Sequence, residues 1–178
     1  MLIVLAGPSE DPISLIEARN YLRIAQDCDD NSLSLLIKAA TERVEQKLHK
    51  ALVTRKLRQS YSSVEITRAL EFAKRQKGKV ELIPALNDVI SISAVSSLNV
   101  NGNMASTSLS LISLSDGKFI LNNYSQGLEI EYFAGFGAAA NVPNSFKILV
   151  LEELGRIIQN RDNEKYQTEI SSVLGARL

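Results

Sequence analysis

The chain has 178 residues, 45% hydrophobic and 22% charged, the composition of a soluble globular protein with one domain or two small ones and a real core. Twenty Lys plus Arg balance twenty Asp plus Glu, which disfavours a chain that coats nucleic acid by bulk positive charge. One cysteine, Cys28, excludes an intrachain disulfide, and one histidine, His49, leaves too few soft ligands for zinc.

The opening MLIVLAGPSE has a short apolar stretch and no basic leader, so it reads as a mature, intracellular N-terminus and not a signal peptide. No run approaches the roughly 18 apolar residues of a membrane-spanning helix. Ser14-Leu15-Ile16-Glu17 is a capping box, in which the Ser hydroxyl accepts from the third helical amide while Glu17 reaches back to the cap. It predicts a helix from about residue 15 to 23, with Leu15, Ala18 and Leu22 on the buried stripe. The carboxylates of Gln26-Asp27-Cys28-Asp29-Asp30 suit the start of a second helix. There Leu33, Leu36, Ile37, Ala40, Val44 and Leu48 recur at helical spacing and predict an amphipathic helix of about five turns.

After Leu52 the pattern changes to short β-rich runs at 53–61, 79–83, 89–98, 118–121 and 128–133. Turn chemistry separates them at Asn87-Asp88, Asn101-Gly102, Asp116-Gly117 and Gln126-Gly127. Residues 64–77 stay open between helix and strand, since Ile66, Leu70 and Ala73 carry a helical period inside a strand-rich region. Gly135 and Gly137 end the sheet, and Asn141-Val142-Pro143 starts a further helix with the stripe Phe146, Leu149, Val150, Leu154, Ile157 and Ile158. The tail from 163 to 178 is polar, then weakly apolar at Ile170, Val173, Leu174 and Leu178, a docking segment too short to bury much alone. The expected fold is α+β: a small helical bundle with an inserted antiparallel β module. Its expected parts are a helical 1–52, a β insertion 53–139, and a helix and tail 140–178, together one compact unit.

Three pieces in order carry a family resemblance. They are the run from Pro12 through Ile13, Ser14 and Glu17 to Tyr21-Leu22-Arg23, then Asp29-Asp30 leading into Ala39-Ala40-Thr41-Glu42-Arg43-Val44-Glu45, and finally Tyr132-Phe133-Ala134-Gly135-Phe136-Gly137 with Val142-Pro143. Over residues 12–162 the sequence resembles the head-tail connector (adaptor, or head-completion) proteins of long-tailed phages, related prophages and gene transfer agents. Members usually carry a Gly near the end of the second helix, where Lys47-Leu48-His49-Lys50 stands here. The resemblance implies a non-enzymatic subunit of a homo-oligomeric ring beneath the portal, extending the DNA channel towards tail-side connector proteins. It implies residence in the virion, or in the host cytoplasm before assembly, no membrane, and a C-terminal segment (Ile170, Val173, Leu174, Leu178) that docks on the portal protein.

No residue pattern calls for a catalytic centre, cofactor or metal. Asp27, Asp29 and Asn31 begin like a calcium loop, but Ser32 stands where Gly is needed and Lys38 where a bidentate Glu should close it, so helix capping is the reading. His49 suits a helix C-terminus and has no neighbouring nucleophile motif, and Cys28 lies among acids that raise a thiol pKa. Gly135-Phe136-Gly137 lacks the remaining glycine and lysine of a phosphate loop and reads as a strand end.

Charge placement is the one pattern that invites a functional reading. Between Lys47 and Lys79 stand ten basic residues against two acids, Glu65 and Glu71. From this segment Arg55, Lys56, Arg58, Lys74, Arg75 and Lys77 are candidates for a DNA channel, with non-specific DNA contact, or for a subunit interface. A solvated face is the bland alternative. Two rival functions remain open: a sequence-independent nucleic-acid-binding module using 47–79, which has few aromatics for base stacking, and a small hydrolase, for which no motif supplies an acid, base and nucleophile.

Overall fold

A computed structural model describes residues 1–23, 29–98, 104–122 and 127–175, with side chains of the last helix described to residue 159. The chain forms two compact units: Met1–Glu10 with His49–Asn141, and Asp11–Leu48 with the chain from Val142 onward.

The second of these is helical. Helix α1 (Leu15–Leu22) starts at the expected capping box: Ser14 Oγ accepts from the Glu17 amide, and Glu17 accepts from the Ser14 amide at 2.7 Å. Helix α2 (Asp30–Leu48) begins under Asp29, whose carboxylate accepts from the Asn31 and Ser32 amides and the Ser32 hydroxyl. Asp29 therefore caps the helix, and those hydrogen bonds hold its carboxyl below the usual range. Asp27 and Cys28 lie outside the described residues. Helix α4 (Asn144–Gly175) begins just after Pro143 and packs on α2, where Leu33, Ile37, Ala40 and Val44 of one helix and Val150 and Leu154 of the other are buried. The supposed tail is thus, to Gly175, a continuation of α4.

The other unit is β-rich. Strands β1 (Leu2–Ala6), β2 (Arg55–Tyr61), β4 (Val89–Leu98), β5 (Met104–Thr107) and β8 (Leu128–Ala134) form a sheet in the order β1-β2-β8-β4-β5, every neighbour antiparallel. Strands β3 (Val80–Leu82), β6 (Ile112–Ser115) and β7 (Lys118–Leu121) form a second sheet in the order β3-β7-β6. The β6–β7 hairpin turns at Asp116-Gly117, with φ of 51° and 72°, the left-handed pair such a tight turn needs. Strand β8 shows why a sheet forms: buried Leu128, Ile130, Tyr132 and Ala134 alternate with half-buried Glu129, Glu131 and Phe133. Tyr132 and Tyr61 each meet Phe119 of the second sheet edge to face, at 5.2 and 6.5 Å between centroids.

The open segment 64–77 is helical. Helix α3 (Ser63–Gln76) has a second capping box, Ser62 with Glu65, and closes at Lys77 in the left-handed region, φ 52°. It buries Ile66 and Ala73 in the same core as Leu57, Val80 and Phe119. Strand β1 departs from the expected helical 1–52: residues 2–6 belong to the sheet of the β-rich unit and not to the helical part.

Candidate functional site

The basic segment separates into groups with different surroundings. On β2, alternation puts Leu57 and Tyr61 on the core face and Lys56, Arg58 and Ser60 on the other. Directly across from Arg58 stands Glu131 of β8. Its carboxylate takes Lys56 Nζ at 2.7 Å and Arg58 Nη2 at 2.6 Å, with Arg58 Nε at 3.1 Å. These two cations hold the Glu131 carboxyl below the usual range. Ser60 Oγ donates to Glu129 one pair further along, so this face is a neutralised cross-strand network. Arg55, at the odd position, falls on the opposite face from Lys56 and Arg58 and is half-buried. The three β2 candidates thus do not form one patch.

Helix α3 presents the contrasting group. Ile66, Leu70 and Ala73 face inward, which turns Val64, Arg68, Phe72 and Arg75 outward along one stripe with Lys74 beside it. Lys74, Arg75, Lys77 and Lys79 are exposed and make no ion pair among the described residues. Lys74 and Arg75 lie in the last turn, where the helix dipole favours a cation. Phe72, 65% exposed, shares the outward stripe with Arg68 and Arg75. Of the six candidates, Lys74, Arg75 and Lys77 therefore share one open cationic end.

Charged residues that sequence reasoning missed hold the helical unit together. Glu153 of α4 is 6% exposed and receives Lys47 at 2.7 Å, Arg156 at 3.1 Å and Arg43 at 3.6 Å. The Lys47 hydrogen bond and the surrounding positive charge lower its pKa. The signal was absent from any local window, because Lys47 and Glu153 are 106 residues apart. In the other unit Lys50 pairs with Asp88 at 2.7 Å and lies 5.8 Å from the Phe136 ring centre.

The remaining candidates have structural roles. His49 follows α2 with φ 52°, the left-handed conformation a helix-ending Gly commonly supplies, and its carbonyl accepts from the Asn87 amide. Gly135 has φ +129°, and a Cβ there would lie 2.7 Å from the Thr54 nitrogen, so the strand must end on glycine. Ile170, Val173 and Leu174 lie on α4, while Leu178 is outside the described residues. Among the described residues no cluster of His, Cys, Asp and Glu could hold a metal, and no helix is long and apolar enough to cross a membrane.

The family described as "Phage gp6-like head-tail connector protein" matches residues 12–116, more than half of the chain. The chain belongs to that family. The match takes in α1, α2, β2, α3, β3, β4, β5 and β6 of this connector protein. No curated protein matches it in sequence. In structure the connector is similar to a chain of "Neck of native GTA particle computed with C12 symmetry", with TM-score 0.67 and 16% identity over 89% of this chain and 83% of that one. It is also similar to a chain of "Virion of native gene transfer agent (GTA) particle", with TM-score 0.68 and 16% identity over 89% and 84%. A chain of "Neck of empty GTA particle computed with C6 symmetry" gives TM-score 0.64 and 17% identity over 85% and 82%. At these identities the likeness establishes a shared fold.

Proposed function

We propose that the connector is one subunit of a closed ring in the neck of a phage, prophage or gene transfer agent particle. The ring docks on the portal protein and extends the DNA channel to tail-side connector proteins, without enzymatic activity. The observation that carries this reading is the family match over residues 12–116, and the likeness to chains of gene transfer agent necks supports it. Copies around a ring of more than two subunits meet head to tail through two different, complementary patches, and such a ring closes only when the rotation fits.

Within this reading the open cationic end of α3, with Lys74, Arg75 and Lys77, is the surface offered to DNA phosphates or to an acidic neighbour. Lys56 and Arg58 are already matched by Glu131 and serve the sheet. The far end of α4, with Ile170, Val173 and Leu174, together with Leu178, is the portal-docking element, and the particle is where the protein works. The test is genetic: removal of the gene from its phage or prophage yields DNA-containing heads and free tails, and expression of the full chain restores joined particles. Particles that join normally without the protein overturn the reading.

A further inference from the structure

The N-terminal strand carries an inference that rests on the ring reading and gives it a contact. Strand β1 is LIVLA, and all five residues are exposed although four are large and apolar, Leu2, Ile3, Val4 and Leu5 lying between 37 and 53%. It occupies one edge of the five-stranded sheet. Edge strands are usually blunted by a Lys, a Pro, an inward charge or a bulge; β1 has none of the first three, and its one irregularity in register falls after Val4, between Val4 and Ala6.

Its free hydrogen-bonding groups can be assigned. The Met1 amine donates to the Ser60 carbonyl at 3.0 Å and the Ser60 amide donates back to Met1 at 2.9 Å. Alternation then turns Ile3 towards β2 and leaves the N–H and C=O of Leu2 and Val4 pointing away from the sheet. At the other edge the Leu98 amide donates to Gly127, on the β8 side, so Ser97 faces β5 and pairs with Ala105. The outward groups of β5 are consequently those of Met104 and Ser106. Both edges offer outward groups two residues apart, and neither strand carries a charge.

The direction of pairing follows from strand count. Five strands that alternate in direction leave β1 and β5 running the same way. A rotation about a ring axis preserves that direction, whereas a two-fold axis joining β1 to β1 makes an antiparallel pair. We propose that β1 of one copy pairs in parallel with β5 of the next, so that the sheets continue from subunit to subunit. Val4 then lies opposite Ala105, its amide donating to the Met104 carbonyl and its carbonyl accepting from the Ser106 amide. Charge selects this partner: the uncharged edge β5 can be desolvated against β1, while the bare cations of α3 cannot.

The test uses the full chain with Cys28→Ser, adding Val4→Cys and Ala105→Cys, treated with a short flexible bis-maleimide that tolerates a slip in register. The double variant gives a covalent ladder of oligomers, and each single variant stays monomeric on a denaturing gel. Dimers from Val4→Cys alone indicate a two-fold β1 pair and overturn the proposal. Absence of a ladder while electron micrographs show closed rings overturns this contact and leaves the ring reading standing. Absence of both, with the cognate portal protein present, overturns the ring reading with it. As a second variant, Val4→Pro removes only an outward amide and with it one interface hydrogen bond: it weakens assembly by up to about tenfold, with the thermal unfolding midpoint unchanged. Unchanged assembly by that variant counts against the contact.

Discussion

Strand β2 and helix α3 are near neighbours in sequence and both are rich in Lys and Arg, yet their charges have different fates. Lys56 and Arg58 lie across from a carboxylate that the sheet register brings to them. Lys74, Arg75 and Lys77 lie on and just beyond a helix whose Glu65 is held by its capping box and whose Glu71, one turn before Arg75, forms no ion pair with them. Positive charge in a sequence is thus no guide to a binding surface until the opposite strand is known. The same contrast holds in the helical unit, where Arg43, Lys47 and Arg156 surround Glu153. Matched cations serve the fold, and the proposed contact with DNA or a neighbour draws on the unmatched ones.

The largest expected effect that tests this contrast is at Glu153. Glu153→Ala should lower unfolding free energy by about 2–3 kcal/mol, because a buried carboxylate with charge-assisted hydrogen bonds is lost and its cations are left crowded. Urea denaturation of the full chain measures it, and a loss no larger than an exposed Lys→Ala control removes Glu153 from the matched class. Next comes Glu131→Gln, at about 1 kcal/mol, since its pairs lie closer to water.

Acid should expose the same division. Both carboxyls have folded pKa values below the ordinary range, Glu131 through Lys56 and Arg58 and Glu153 through Lys47 first. Groups depressed on folding add stability that is complete above their unfolded pKa and is lost as pH falls through the folded value. Stability should therefore fall from about pH 5 downwards, and the Glu131→Gln, Glu153→Ala double variant should show a shallower fall. An equally steep acid limb in that variant assigns the loss to other carboxylates.

On α3 the sign of the expectation reverses. Lys74→Gln, Arg75→Gln and Lys77→Gln together should cost less than about 1 kcal/mol, the dipole contribution of the last turn, while weakening assembly at low salt. That defect should shrink as salt rises, because a Debye length of about 8 Å at physiological ionic strength already screens the wild-type contact. Equal assembly of variant and wild type across a salt series returns this end of α3 to a solvated face. The smallest effect on stability is expected from ending the chain after Asp162: the buried α4 residues Val150 and Leu154 precede the cut, so folding should persist while portal attachment is lost. Loss of folding, or normal attachment, contradicts that assignment.

How far the sequence spoke depended on the range of the interaction. Ser14 with Glu17, Asp29 above Ser32, Asp116-Gly117 and the alternation in β8 are local, and each stands where the residues predicted it. The capping box at Ser62 is as good as the one at Ser14, but its neighbours are strands, and the helical period of Ile66, Leu70 and Ala73 alone left the segment open. Strand β1 is an apolar run without alternation, because both of its faces are exposed and no periodic signal arises. Strands β5 and β6 together hold three Ser and one Thr among eight residues, so they lack the dense apolar and aromatic signal that makes the equally short β7, Lys-Phe-Ile-Leu, legible. The candidate site was legible as a concentration of charge and no further. Which cations are matched depends on Glu131 and Glu153, which sequence distance hides from any local reading.

The proposed function requires this connector to form a ring on a portal. The full chain is mixed with its cognate portal protein and imaged by electron microscopy. A closed ring of connector subunits, seated on the portal and coaxial with its channel, is the expected result. A stable two-fold dimer that leaves the portal bare contradicts it.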